Sequence, residues 1–223
     1  MVFCAAKQHW RGRIFMKAVK LILDAFRDLA IQKLPKCRWL KKIKPGDPPG
    51  FAFLVHPRNI ADVYRKYPFA KYFPHKAVEF FLKLFWPVIL SEITGLFSKK
   101  DGKPVRGWLI TIPLTAKQML ENRKLAKKRI IQAAKLAEKI GAELMGLGAL
   151  TSSVTRSGIE ILGNVKLSIV TGNSLAVAIT LEDINSILQS KKLAIDQASI
   201  AVIGATGSIG RAVVRSLAPK HFK

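Results

Sequence analysis

Apolar and polar positions divide the chain into short strands, amphipathic helices and glycine-rich turns. Residues 51–56 (FAFLVH) are an apolar run set between the turn chemistry of PGDPPG and Pro57, which predicts a buried strand. A helix is expected from Pro57 through Asp62 to Tyr67. The stretch HKAVEFFLKLFW is polar at Lys76, Glu79 and Lys83, spaced i, i+3, i+7, and apolar almost everywhere else. That spacing predicts a helix buried over most of its circumference, or one whose Phe-rich face lines a greasy channel or touches lipid. PVILSEITG and VRGWLITI read as two strands of a hairpin, with Asp101-Gly102 at the turn. Pro113 ends the second strand, and Thr115 with Gln118 forms a capping box ahead of one long helix reaching Ile140. Ala126, Ile130, Ala133, Ala137 and Ile140 put one face of that helix inward. Arg123, Lys124, Lys127, Lys128, Arg129 and Lys135 cover the rest, and Gly141 stops it. From residue 143 the chain turns to Gly, Ser and Thr, which reads as loops that approach a ligand closely or pack tightly beside a sheet. A helix over 174–190 follows, with Thr171, Asn173 or Ser174 near its cap.

Residues 1–50 read as a basic extension. Val19, Ile22, Leu23, Phe26, Leu29, Ala30 and Leu34 recur at helical spacing, giving a basic amphipathic helix suited to docking or to an anionic membrane surface; Met16 is an alternative first residue. No segment reaches the roughly 18–20 uncharged apolar residues of a membrane span. Charges at Lys17, Lys20, Asp24, Arg27 and Asp28 interrupt any signal-peptide pattern. A cytoplasmic location is therefore expected, with peripheral membrane association as an addition.

Composition narrows the class. The chain has 223 residues, 49% of them apolar and 23% charged, which excludes a disordered tail or a coiled-coil rod. Its two cysteines, Cys4 and Cys37, offer neither a disulfide framework nor a zinc site. The net charge is +24, divided as +9 over residues 1–50, +11 over 51–150 and +4 over 151–223. An acidic partner follows from that field: an acidic protein, anionic lipid or nucleic acid. Nucleic acid is disfavoured, because no zinc-finger, RRM or KH pattern is present and the aromatics sit in apolar contexts. His9 and His221 are terminal, and His75 precedes an apolar helix. His56 ends the first strand, where α/β loops meet ligands. No Ser-His-Asp or metal constellation can be assembled.

The chemistry-bearing motif comes last. Residues 198–203 (ASIAVI) read as a strand, GATGSIG follows at once, and RAVVRSL reads as a helix. This strand, glycine turn and helix is the context of a dinucleotide-binding fingerprint. Gly204 permits the tight turn, Gly207 lets backbone approach a pyrophosphate, and Gly210 lets helix and strand pack closely. The G-x-x-G-x-x-G spacing is the variant common in NADP-using dehydrogenases. Only 13 residues follow Gly210. A dinucleotide fold needs further strands, so the chain reads as the front of a longer protein.

The ordered series FAFLVHP, SEITG, DGKPVRGWLI, the basic helix, GLGALTS, VTGNSLAVA and SIAVIGATGSIGRAV resembles the long-chain acyl-[acyl-carrier-protein] reductases that release fatty aldehydes. The likeness runs from residue 51 to about residue 217. It implies an α/β fold in which a basic extension (1–50) precedes an α/β substrate domain (51–190). The first strand, turn and helix of a truncated, doubly wound Rossmann domain (191–223) come next. It implies NADPH-dependent reduction of an acyl thioester to an aldehyde through a covalent thioester on a cysteine. That cysteine lies beyond the glycines in the family, and neither Cys4 nor Cys37 is assigned its role. The partner implied is an acidic acyl carrier protein or acyl-CoA. Gly204, Ala205, Thr206, Gly207, Ser208, Ile209 and Gly210 carry over to the cofactor phosphates. Thr171, Gly172 and Asn173 carry over to the cleft where nicotinamide meets substrate. On the residues alone two rivals stay open: a shikimate- or amino-acid-dehydrogenase-like oxidoreductase using a general acid/base on a small polar substrate, and a basic, non-enzymatic anion-binding protein.

Overall fold

The computed structural model describes residues 50–194 and 198–221, with Met16, Val19, Lys20, Leu23, Phe26 and Arg27 of the extension, all six helical. The rest of the expected 17–34 helix, with Cys4, Cys37 and His9, lies outside the described residues. The chain is an α/β protein that divides into two units, Met1–Val170 and Thr171–Lys223.

The apolar run after PGDPPG becomes β1 (Gly50–Val55), the central strand of a five-stranded sheet in the first unit. It pairs in parallel with β3 (Pro104–Thr111) on one side and β4 (Ala142–Leu147) on the other. β2 (Val88–Phe97) runs antiparallel to β3 at one edge, and β5 (Ser168–Val170) extends the parallel side. The sheet is therefore mixed, in the order β2-β3-β1-β4-β5. Ala52, Trp108 and Met145 are register partners, as are Leu54, Ile110 and Leu147, and all six are buried on one face. Burying each large side chain contributes about 1.5–3 kcal/mol. Phe51 and Phe53 lie on the other face. Their rings fill the space where a Cβ at Gly107 or Gly146 would stand, 2.5 and 2.7 Å away.

Helices α3 and α4 cover the buried face, but not as the single helix expected. After α1 (Ile60–Lys66) and α2 (His75–Leu84), the chain forms α3 (Ala116–Glu121), breaks at Asn122, and continues as α4 (Arg123–Lys139). Asn122 leaves helical geometry (φ −132, ψ 74), and its side chain accepts from the Leu125 N–H. A short polar side chain that bonds local backbone favours such a cap over helix continuation. The capping box forms, with Thr115 Oγ1 accepting from Gln118 N and Gln118 Oε1 from Thr115 N. Ala126, Ile130, Ala133 and Ala137 are buried.

Two further expectations change. The small-residue stretch from 143, read as loops, contains most of β4, α5 (Leu150–Val154), a 3-10 turn (Ile159–Asn164) and β5. β4 is six residues long and carries Gly146; pairing with β1 makes it a strand where composition did not. Of the two expectations for α2, burial over most of its circumference is not met: Val78 is its one buried residue, while Phe80, Phe81 and Leu84 are 59%, 50% and 54% exposed. It packs through one turn onto a small satellite cluster of Val63, Ala70 and Val78, shared with α1 and the 3-10 helix Pro68–Tyr72.

The second unit holds α6 (Asn173–Ser190), expected at the end of the substrate domain, and α7 (Ser208–His221). Residues 198–203 form no strand among the described residues. A strand exists only through a ladder, and no neighbour among the described residues supplies one; Ile203 is fully exposed.

Candidate functional site

The first unit encloses an apolar cavity of about 600 Å³ at the carboxyl ends of β1 and β3. Ligands of α/β sheets bind outside these strand ends. Val55, Thr111, Val88 and Leu90 form the sheet wall. Val63, Ala70, Phe73, Val78, Phe81 and Trp86 close it from the helices and the turn before β2. Phe26 of the extension lies against Trp86, with ring centroids 5.9 Å apart.

Besides Thr111 and Tyr67, the polar side chains His56, Asp62 and Lys66 line the cavity. His56 stands where the chain leaves β1 toward β2 on one side of the sheet, beside the exit of β4 toward β5 on the other, so it occupies a topological switch point. Its Nε2 accepts from the Leu150 N–H at 3.2 Å, and its Nδ1 lies 2.9 Å from the Pro57 carbonyl. Both ring nitrogens are taken by backbone, so His56 ties the loops after β1 and β4 together. The same crevice holds Gly148, which donates to Leu54 O at 3.0 Å and where a Cβ would stand 2.7 Å from that oxygen. Ala149 beside it has φ +49, a strained value for a residue with a side chain. Asp62 accepts from the Arg58 guanidinium and the Arg58 N–H, which hold its carboxyl down to about 2. It is ionised and committed to Arg58.

Helix α2, which forms part of the cavity wall, is pinned by groups from α3 and α4. Gln118 Nε2 donates to Glu79 O at 2.7 Å, and Arg129 donates to Lys83 O and Leu84 O at 2.9 and 3.1 Å. Burial lowers the Arg129 pKa. Lys127 pairs with Glu160, whose carboxyl is held below its ordinary value chiefly by that contact. Three of the six cations read as an outward face therefore contact the rest of the fold, Arg123 by donating to Ser153 O at 3.4 Å, while Arg123, Lys124, Lys128 and Lys135 remain exposed on α4.

In the second unit, Gly204 takes φ +82, and its carbonyl accepts from Gly207 N at 3.0 Å, closing the turn. A Cβ at Gly210 would overlap the Gly204 carbonyl, and one at Gly207 would stand 3.3 Å from it. Ala205 and Thr206 complete the turn; Ser208 and Ile209 begin α7. Arg211 N donates to Gly207 O, and the Arg211 side chain returns to Thr206 O at 2.9 Å. Residues 200–204, Gly207 and the first turn of α7 line an open groove of about 620 Å³ with Thr180 and Ile184 of α6. Thr171, Gly172 and Asn173 meet this turn: Gly172 has φ +73, Asn173 N donates to Thr171 Oγ1 at 3.4 Å, and Asn173 Nδ2 donates to Ser208 Oγ at 3.2 Å. Among the described residues no group of three His, Cys, Asp or Glu could hold a metal, and no helix is long and apolar enough to cross a membrane.

The strained Ala149, the Gly148 contact and the Arg129 clamp were not singled out from sequence. The local signal for the first two is GLGA directly after an apolar run; the third depends on residues about 45 positions apart and has no local signal.

No protein-family model matches the chain. Over 145 residues, 60% of its length, it is 29% identical to a long-chain acyl-[acyl-carrier-protein] reductase from Synechococcus elongatus, covering 42% of that protein. Over 121 residues, 54% of its length, it is 29% identical to the aminotransferase PigE of a Serratia species, covering 14% of that protein. The chain spans less than half the length of these curated relatives. The likeness supports a distant relationship to an oxidoreductase.

Proposed function

We propose that this chain supplies the acyl-binding portion and the opening of the cofactor site of an NADPH-dependent reductase. Its substrate is a long-chain acyl thioester, carried by an acyl carrier protein or coenzyme A, and its product is a fatty aldehyde. The observation that carries this reading is the apolar cavity at the carboxyl ends of β1 and β3. Each methylene removed from water there contributes about 0.8 kcal/mol, whereas a small polar substrate gains nothing from such walls. The distant likeness to an acyl-carrier reductase agrees with it.

The second unit fits a dinucleotide diphosphate on local grounds. Gly204 takes a positive φ, a Cβ at Gly210 would overlap the Gly204 carbonyl, and one at Gly207 would stand 3.3 Å from it. The first N–H groups of the 14-residue α7 have no partner within the helix and point toward an anion at its start. When bound, NADPH supplies the hydride that reduces the acyl carbon. Thr171, Gly172 and Asn173 border that cofactor, with Asn173 orienting the Ser208 hydroxyl. The walls around Val63, Val78 and Trp86 hold the chain and exclude water. Arg123, Lys124, Lys128 and Lys135 form the surface for an acidic carrier, which steers its approach at low salt.

Titrating the chain with a sixteen-carbon acyl pantetheine thioester, followed through tryptophan emission, tests the acyl half. Saturable binding that weakens at least about tenfold for the eight-carbon analogue is expected. Ala70→Phe, which fills the cavity, should weaken it likewise while NADPH binding and the melting transition hold. Binding indifferent to chain length and to Ala70→Phe overturns the acyl reading. A parallel NADPH titration without saturable binding overturns the cofactor reading.

A further inference from the structure

Helix α2 shows its apolar side to solvent. In projection, Phe80 and Leu84 (i, i+4) form its outermost stripe, and Phe81 lies beside them toward the cavity. Phe80, Phe81 and Leu84 are all half or more exposed, and Tyr72 and Phe73 of the preceding segment are 64% and 54% exposed. On the other flank of the stripe stand Lys76 and Lys83 (i, i+7), with Lys71 on the adjoining 3-10 helix, all three exposed. Phe73 and Phe81 belong both to this patch and to the cavity lining, so the patch is continuous with the cavity mouth. Arg129 at the helix's carboxyl end and Gln118 against the Glu79 carbonyl hold the presenting helix in place.

We propose that this face docks on an anionic lipid surface, with Phe80 and Leu84 inserted at the headgroup boundary and Lys71, Lys76 and Lys83 on the lipid phosphates. The arrangement is that of an interfacial helix: a convex apolar stripe, long cationic side chains along its border, and aromatic residues among them. Charge selects this occupant. A second copy packed antiparallel on the same face, across a two-fold axis perpendicular to α2, would bring the Lys76 and Lys83 flank against the same flank of its partner, on a chain already at +24. A lipid surface also gives the apolar cavity a non-aqueous mouth, so an apolar ligand enters or leaves without crossing water. The inference rests on the patch and holds whatever reaction the cavity serves.

Vesicle flotation of the whole chain tests it, using phosphatidylcholine with about a third phosphatidylglycerol, against phosphatidylcholine alone. Binding to the anionic vesicles is expected, and Phe80→Ser/Leu84→Ser and Lys76→Glu/Lys83→Glu should each lower partition at least about tenfold. All four side chains are exposed, so the circular dichroism melt should stay at the wild-type temperature. As a direct reading, Phe80→Trp should be quenched by brominated lipid. Partition within twofold of wild type for both double variants, or an unquenched Trp at 80, overturns the proposal. So does a Phe80→Ser/Leu84→Ser effect seen on an acidic carrier protein and not on vesicles.

Discussion

The Asn173 side-chain amide donates to the Ser208 hydroxyl across 3.2 Å, joining residues 35 positions apart. Asn173 opens α6 and Ser208 opens α7, so one bond draws together two helix starts and the two small-residue motifs, VTGN and GATGSIG. The positive ends of both helix dipoles lie near that point, which favours negative charge there.

Removing this link should loosen the turn. Asn173→Ala is expected to cost about 1 kcal/mol of stability and to weaken NADPH binding about five- to tenfold. Asn173→Asp, which places a carboxylate beside the phosphates, should weaken it more. Fluorescence titration reads both effects, and wild-type affinity for both variants would show that Asn173 does not organise the turn.

Gly210→Ala places a methyl group on the Gly204 carbonyl, which is backbone and cannot rotate away. A loss of about 1–3 kcal/mol, and of NADPH affinity beyond about tenfold, is expected. Gly204→Ala, at φ +82, should cost about 1–2 kcal/mol from backbone strain. Gly163→Ala is the control, because nothing lies within 4 Å of its added Cβ. Urea melts of the three variants should separate in that order.

Arg129 links α4 to the last carbonyls of α2 and to Gln132 Oε1 at 2.9 Å. A cation at a helix carboxyl end is favourable, and its hydrogen bonds are charge-assisted. Arg129→Ala should destabilise the chain by about 1–2 kcal/mol and speed amide exchange in α2, whereas Arg129→Lys should recover part of the loss. Unchanged exchange across residues 75–84 would count against the clamp.

The Asp62 carboxyl ordinarily titrates at 3.8 and is lowered to about 2 by Arg58. A depressed carboxyl contributes stability that is present above its unfolded value and lost as pH falls through its folded one. The contribution should be complete above pH 4 and gone below about pH 2. Asp62→Asn should flatten the wild-type stability curve in that window and leave its shape above pH 5 unchanged. A wild-type slope that survives the substitution would place the titration elsewhere.

The helix face at Ala126, Ile130, Ala133 and Ala137, the capping box and the β2-β3 hairpin were legible because each rests on periodicity or turn chemistry within a few residues. So were the glycines of the turn: Gly204 and Gly210 occupy a backbone conformation and a close approach that side chains would oppose. Long-range features were not legible. The apolar composition of α2 left burial and a lined channel or lipid contact both open, because composition does not say how many neighbours a helix will find.

The residues alone determined the class of fold, the element order in its first half, the cationic field and the glycine turn at Gly204–Gly210. Each of these follows from local propensity or from summed charge. Only the tertiary structure decided that β4 becomes a strand on β1, that residues 198–203 lack a ladder, and that His56 is consumed by Leu150. It also decided that Phe81 of α2 lines a cavity while Phe80 faces solvent. Strand pairing, burial and hydrogen-bond partners depend on which distant segment arrives, and the linear pattern does not encode that separately from the folded chain.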